Sequence, residues 1–343
     1  MALILRSNFQ MKNPMYAAGT GRGIVLIGKS KTAAPLTRVS LFSDAEKQLG
    51  EGTNATKMVD AALMQRPQTV YSVGLGETPE AGTYKKALLE GVSAEGVYFF
   101  VIDETTESVI AEVKEFLAWC DTNAISAVVI IGGKADVVEK ADHYRIWVVD
   151  DVFADYSGKA VPAFMAAAAT TAAIANERDL SLPFGGIRIN GFTLKEVKHL
   201  DTLRTQTEAG LMSFARNGTR IEIFQGATSY INPSTDEIGL KDPAVVCTAD
   251  EIVTFVEGRI AARHSRIKMN RLQDIADTIY SALEEKAAPG IEKIFPPNAD
   301  EIIVKPDPDE NGKANANYHF RIIAGLKELD IGVTGEVSAQ SAQ

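Results

Sequence analysis

The sequence predicts an α/β protein: a doubly wound, mostly parallel sheet core, then a smaller α+β C-terminal domain, with extended arms at both ends. Three observations predict it. Residues 125–151 contain the run Ile-Ser-Ala-Val-Val-Ile-Ile-Gly-Gly, a short polar segment, and then Arg-Ile-Trp-Val-Val-Asp-Asp. Both apolar runs are rich in β-branched residues and neither alternates polar with apolar, as befits strands covered on both faces. Gly23–Gly28 and residues 69–74 and 97–103 have the same character, with helical patterns between them.

Taken in order, residues 1–20 read as an arm, with a brief apolar run followed by Asn, Pro, Gly and Thr. The strand Gly23–Gly28 leads into a loop holding Pro35. Ser43 and Glu46 have capping-box spacing, which predicts a helix stopping near Gly50. Asn54 is placed to cap a second helix, and Pro67 blocks its continuation. Strand 69–74 is followed by Thr78-Pro79-Glu80, a cap with proline at the first helical position. After strand 97–103, Val109, Ile110, Val113, Phe116 and Leu117 share one face of a helix over 106–120. The central strand pair and an alanine-rich helix over 160–177 complete a core domain at residues 21–184.

Pro183-Phe184-Gly185-Gly186 reads as a hinge. Residues 185–326 read as the C-terminal domain: mainly helix over 193–217, a strand at 219–224, then helices from a Thr248/Glu251 capping box toward His264 and over 272–286. Strands are expected at 301–304, 318–323 and 329–333, the last within a C-terminal arm and tail at 327–343.

At 343 residues the chain has room for two cores. Its formal charge of -10 argues against a general nucleic-acid binder. Cys120 and Cys247 read as buried, reduced thiols. The N-terminal apolar run is too short for a signal peptide, and no stretch approaches the roughly 20 apolar residues of a membrane helix. Folding in a cytoplasm, without a membrane anchor, is the expectation.

One motif matches by letter and fails by chemistry. Gly23-Ile24-Val25-Leu26-Ile27-Gly28-Lys29-Ser30 fits G-x-x-x-x-G-K-S. A phosphate-cradling loop must turn its middle residues so that their N–H groups point inward, whereas Ile-Val-Leu-Ile prefers an extended strand. Asp103, Asp150 and Asp151 follow predicted strands, where open α/β sheets bind ligands, and paired carboxylates there suit magnesium. Aspartate is also a common turn and cap residue at such points, and that reading is the favoured one here. His143, His199, His264 and His319 show no metal-ligand spacing. No catalytic, cofactor-binding or metal-ligating set is therefore expected.

Two features stand out. Arg259, Arg263, Arg266, Lys268 and Arg271 occur with no acid among them in an otherwise acidic chain. A helix continuing through Arg266 puts the first three on one face, a docking surface or a solvated one. Leu3, Ile4 and Leu5 at one end, and Leu329, Ile331 and Val333 at the other, form strand-like segments with no evident partner. A terminal strand with open N–H and C=O groups invites pairing with another molecule.

At this point the chain resembles the contractile tail sheath proteins of bacteriophages and related contractile injection systems. The resemblance rests on Gly23–Gly28, Val39-Ser-Leu-Phe-Ser-Asp44 and Leu49-Gly-Glu-Gly52, on Glu208-Ala-Gly-Leu211 through Arg220-Ile-Glu-Ile-Phe-Gln-Gly-Ala-Thr-Ser229, and on residues 251–280. It covers about half of the chain, and residues 80–180 agree only as generic α/β. The resemblance implies a C-terminal domain facing a tail tube and arms that add strands to neighbouring subunits, which Leu3, Ile4, Leu5, Leu329, Ile331 and Val333 would supply. It also implies a non-enzymatic subunit of a virion tail whose partners are itself, the tail tube protein, and baseplate and tail terminator proteins. The competing expectation is a Rossmann-like enzyme using Asp103, Asp150 and Asp151 with a metal or nucleotide.

Overall fold

The computed structural model describes residues 22–264, 271–306, 308 and 314–324. The chain enters with β1 (Gly23–Gly28), β2 (Ala33–Val39), α1 (Phe42–Leu49) and α2 (Asn54–Leu63). Strands and helices then alternate: β3 (Val70–Leu75), α3 (Thr83–Gly91), β4 (Val97–Ile102), α4 (Glu107–Thr122), β5 (Val128–Gly133), α5 (Ala135–Ala141) and β6 (Ile146–Asp150). After β7 (Phe153–Ala154) and α6 (Ala163–Ala175) come β8 (Arg188–Ile189), β9 (Thr193–Leu194), α7 (Leu200–Glu208), β10 (Leu211–Asn217) and β11 (Arg220–Gln225). Among the described residues, nine strands form one sheet in the order β2-β3-β1-β4-β5-β6-β10-β11-β8. Neighbours from β3 to β10 are parallel. The edges, β2 on one side and β11 with β8 on the other, are antiparallel.

The unbroken apolar runs have the reason expected of them. Along the central strands side chains alternate between two cores: Phe99 and Val101 of β4 face one, Phe100 and Ile102 the other, with Tyr98 joining the first. Trp147 and Val149 of β6 divide from Ile146 and Val148 in the same way. Helices α2 and α6 cover the first face, α3, α4 and α5 the second. Ten residues of α6 are buried, mostly alanine, so its backbone lies close against the sheet. At Gly132 a Cβ would collide with the Ala163 carbonyl, which fixes glycine at that contact.

Several local expectations give way. Pro35 lies in β2, not in a loop, at an irregularity in the β2–β3 register between Ala34 and Thr37. Proline lacks the ladder N–H and is tolerated in an edge strand at such a bulge. Helix α1 starts before the expected box, with no side-chain cap, and Thr53 rather than Asn54 caps α2 by accepting from Thr56 N. Helix α3 begins at Thr83, not beside Pro79, because Glu112 of α4 accepts from Gly82 N and Lys85 N at 2.7 and 2.9 Å. Within the expected helix over 193–217 only α7 is helical, and β10 extends the main sheet beside β6. The strands following the expected hinge thus belong to the same sheet as those preceding it.

Helix α8 (Pro243–His264) starts five residues before Thr248, with Asp242 Oδ1 accepting from Ala244 N. Thr248 is interior and buried, donating its hydroxyl to Ala244 O at 2.7 Å. Helix α9 (Leu272–Ala287) follows, then β12 (Ile303–Pro306) and β13 (Ala314–Asn317), a two-stranded antiparallel sheet. The strand expected over 318–323 is reduced to one bridge, Ile294 with Ile322. These elements share a third core: Ile252, Val256 and Ile260 of α8 against Ile279, Ala282 and Leu283 of α9, with Ile294, Ala316, Tyr318 and Phe320. The first half of α8 belongs instead to the main core, through Ala244, Val246 and Cys247.

Candidate functional site

The order β3-β1-β4 makes β1 the topological switch point, where open α/β sheets bind ligands beyond the strand carboxyl ends. In this chain that crevice is filled by its own side chains. Asp103 Oδ2 accepts from Lys29 N and from Asn54 Nδ2, each at 2.8 Å, and Oδ1 accepts from Tyr84 OH at 2.8 Å. Lys29 Nζ donates to Glu104 Oε2 at 2.8 Å. That bond to Glu104 raises the Lys29 pKa despite partial burial. Burial, then the neighbouring Asp103 charge, pushes the Tyr84 hydroxyl far up, so it stays a donor. Residues 24–27 form the interior of β1, all buried, and the next helix is α1 at Phe42. The G-x-x-x-x-G-K-S match is therefore a strand whose lysine is engaged with Glu104.

Asp150 and Asp151 lie two strands away, beyond β5, so with strand spacings of about 4.8 Å they do not share a cation with Asp103. Each holds a lysine. Lys198 Nζ meets Asp150 Oδ2 at 2.6 Å and Gln206 Oε1 at 3.1 Å, and Lys195 Nζ meets Asp151 Oδ1 at 2.8 Å. The Asp150 side chain is only 5% exposed. An open cleft of about 580 Å³ lies over these pairs, with Lys134, Gln206 and Leu211 also lining it. Among the described residues no group of three or more His, Cys, Asp or Glu side chains is arranged to hold a metal. Each of these strand-end carboxylates already has donors within the chain.

The basic stretch is only partly free. Arg259 Nη2 pairs with Glu285 Oε2 at 2.5 Å, and its guanidinium stacks over Phe255 at 4.9 Å. Arg271 pairs with Asp274. Arg263 is exposed on the last turn of α8. Arg266 and Lys268 lie outside the described residues, as do Leu3, Ile4, Leu5, Leu329, Ile331 and Val333. The run from 258 to 273 lacks acids in sequence, but α9 brings Glu285 and Asp274 alongside it. An antiparallel helix pair was the available signal.

Sequence reasoning also missed two features of the C-terminal unit. Among the described residues β12 and β13 form a two-stranded antiparallel sheet of their own. At the junction with the main core, Lys293 and Lys286 surround Glu251: Lys293 Nζ meets Glu251 Oε2 at 2.6 Å, and Lys286 Nζ meets Glu251 Oε1 at 2.8 Å.

The fold is that of tail sheath proteins, along nearly the whole chain. A chain of the anti-feeding prophage baseplate, in a six-fold symmetrised cryo-EM structure, superposes with a TM-score of 0.70 at 11% identity, over 98% of this chain and 96% of that one. The sheath tail protein from Desulfitobacterium hafniense matches with a TM-score of 0.66 at 12% identity, over 93% of this chain and all of that one. The helical sheath of the anti-feeding prophage in its contracted state matches with a TM-score of 0.64 at 11% identity, over 98% and 95%. No protein-family model and no curated protein sequence matches the chain. At such identities the likeness is one of fold.

Proposed function

We propose that this protein is a structural subunit of a contractile tail sheath, assembling with copies of itself around a tail tube and shortening to drive the tube through a target envelope. The observation that carries this reading is the near full-length likeness to chains of both a baseplate and a contracted helical sheath. The filled crevice at Asp103 and the lysine-paired Asp150 and Asp151 fit a chain that does mechanical work rather than chemistry. The metal- or nucleotide-dependent enzyme reading has no support in that geometry.

In the assembly, Leu3, Ile4 and Leu5 of one subunit and Leu329, Ile331 and Val333 of another add strands to a sheet of a neighbouring subunit. The Arg259–Arg271 region faces an acidic patch of the tube protein, and baseplate and terminator proteins bound the helix at its ends. The particle is a virion tail or a related injection machine assembled in a bacterial cytoplasm. A sheath-like subunit confined to a baseplate ring is a second reading, favoured by the 0.70 score against the baseplate chain.

Truncation tests the strand exchange. Each main-chain hydrogen bond contributes about 0.5–1.5 kcal/mol, so loss of a whole strand removes several. Removing residues 1–16 or 327–343 should leave a folded, monomeric protein that forms no tubes by electron microscopy. Normal tubes from both truncations would rule out exchange by the arms, and unlimited growth of the full chain would exclude the ring-confined reading.

A further inference from the structure

Helix α8 is rooted in the main core and ends in the C-terminal core. Its root is an enclosed charge pair: Arg145 Nη1 and Nη2 donate to Asp250 Oδ2 and Oδ1 at 2.6 and 2.8 Å, and Tyr98 OH donates to Oδ2 at 2.7 Å. Beyond Asp250 the helix leaves the main core, and Ile252, Val256 and Ile260 pack on α9. A single helix spanning two cores behaves as a stalk, free to bend or twist unless a second point of attachment exists.

One such point is present. Lys293, in the loop following α9, reaches back to the main core, where Nζ meets Asp179 Oδ1 at 3.0 Å in the loop following α6. The same ammonium meets Glu251 Oε2 at 2.6 Å, and Glu251 Oε1 takes Lys286 Nζ of α9 at 2.8 Å. The Lys293 side chain is 12% exposed and that of Lys286 14%, while Glu251 is 26% and Asp179 37% exposed, so the lysines are largely buried and the Asp179 arm is the most solvated part of the cluster. Lys286 also lies over the Phe255 ring at 4.3 Å. Asp179 is itself held by Ser181, whose N–H and hydroxyl both donate to Oδ1. Burial disfavours the Lys293 charge, but its hydrogen bonds to Glu251 and Asp179 more than offset this and its pKa rises.

We propose that Asp179, Lys293, Glu251 and Lys286 form a clasp that locks the C-terminal unit to the main core, so that the two move as one rigid body. Four separate stretches meet in it: the loop following α6, α8, α9 and the loop following α9. Only Asp179 belongs to the main-core side beyond α8 itself, so the Asp179–Lys293 bond is the one that closes the ring. With it closed, force applied to β12–β13 passes to the large sheet without bending α8. With it open, the path through Asp179 is lost and more of the load falls on α8. The clasp belongs to the single chain and operates whether or not copies assemble.

Hydrogen exchange on the full-length protein tests this. Lys293→Met keeps the length of the side chain and removes its charge. It should speed amide exchange in α9 and β12 by about tenfold, a fitting loss for charged hydrogen bonds, while β4 and β5 keep their rates. Asp179→Asn, which weakens the Asp179 bond but leaves Lys293 on Glu251, should give a smaller effect in the same elements. The double variant should be no worse than Lys293→Met alone, because that variant already lacks the Asp179 bond. Lys293→Arg, which keeps the charge, should restore most of the protection. Should Lys293→Met fail to fold, Asp179→Asn carries the test with the same readout. Unchanged exchange in α9 and β12, equal acceleration in the central strands, or additive effects in the double variant would each overturn the clasp.

Discussion

Glu257 of α8 keeps one carboxylate oxygen, Oε1, buried without a hydrogen-bond partner among the described residues. Burial, and then the Asp250 charge about two turns back along α8, raises its pKa from 4.5 to about 7. The folded chain therefore binds this proton more tightly than the unfolded chain. Its contribution to stability is complete below about pH 4.5 and is lost as pH rises through about 7. Glu257→Gln should raise the Tm at about pH 8, with a gain of up to about 3 kcal/mol, and change little at about pH 5. Thermal melts of both proteins across that range check this, and a parallel offset at every pH would show that the titration is not the cause. At the same scale, the aspartates at strand ends were legible as positions but not as partners. Lys195 and Lys198 lie 44 and 48 residues from Asp151 and Asp150 in sequence, and only folding brings them together.

At the scale of elements, the buried strands were the most legible part of the chain. Covering both faces of β1, β4, β5 and β6 leaves a continuous apolar run that no surface strand or loop carries. Helix beginnings were the least legible. Ser43 and Thr248 have the letters of a capping box, yet their helices start earlier, at Phe42 for α1 and Pro243 for α8. Helix α3 starts later than its Thr78-Pro79 signal, with Glu112 accepting hydrogen bonds at its beginning. Strand β10 was hidden because Leu211, Met212, Ser213 and Phe214 are all buried, so its beginning shows no alternation to set it apart from the helix before it.

The basic end of α8 belongs to the same scale. Arg259 is committed to Glu285 and Phe255, which leaves Arg263, with Arg266 beyond it in sequence, as the better probes of tube docking. Exposed ion pairs contribute only about 0.2–1 kcal/mol each, but charge reversal adds repulsion at every copy along a repeating assembly. Arg263→Glu with Arg266→Glu should sharply reduce decoration of purified tail tubes in a co-sedimentation assay while the Tm of the free chain stays within a few degrees. Undiminished decoration would reduce these arginines to a solvated face.

For the molecule as a whole, fold and proposed function separate. The α/β class was legible because periodicity reports burial directly. The continuation of the main sheet through β10, β11 and β8 was not, because the Pro183–Gly186 punctuation reads as a boundary while the strands past it hydrogen-bond back to β6. The proposed work of the protein leaves no catalytic signature, since it resides in surfaces between copies and not in a pocket. Electron microscopy of the concentrated, purified full-length chain tests that claim most directly. The account predicts hollow helical tubes that lengthen with concentration, built from subunits in head-to-tail contact. Discrete closed oligomers of fixed size at every concentration, with no tubes or rings around a lumen, would contradict it.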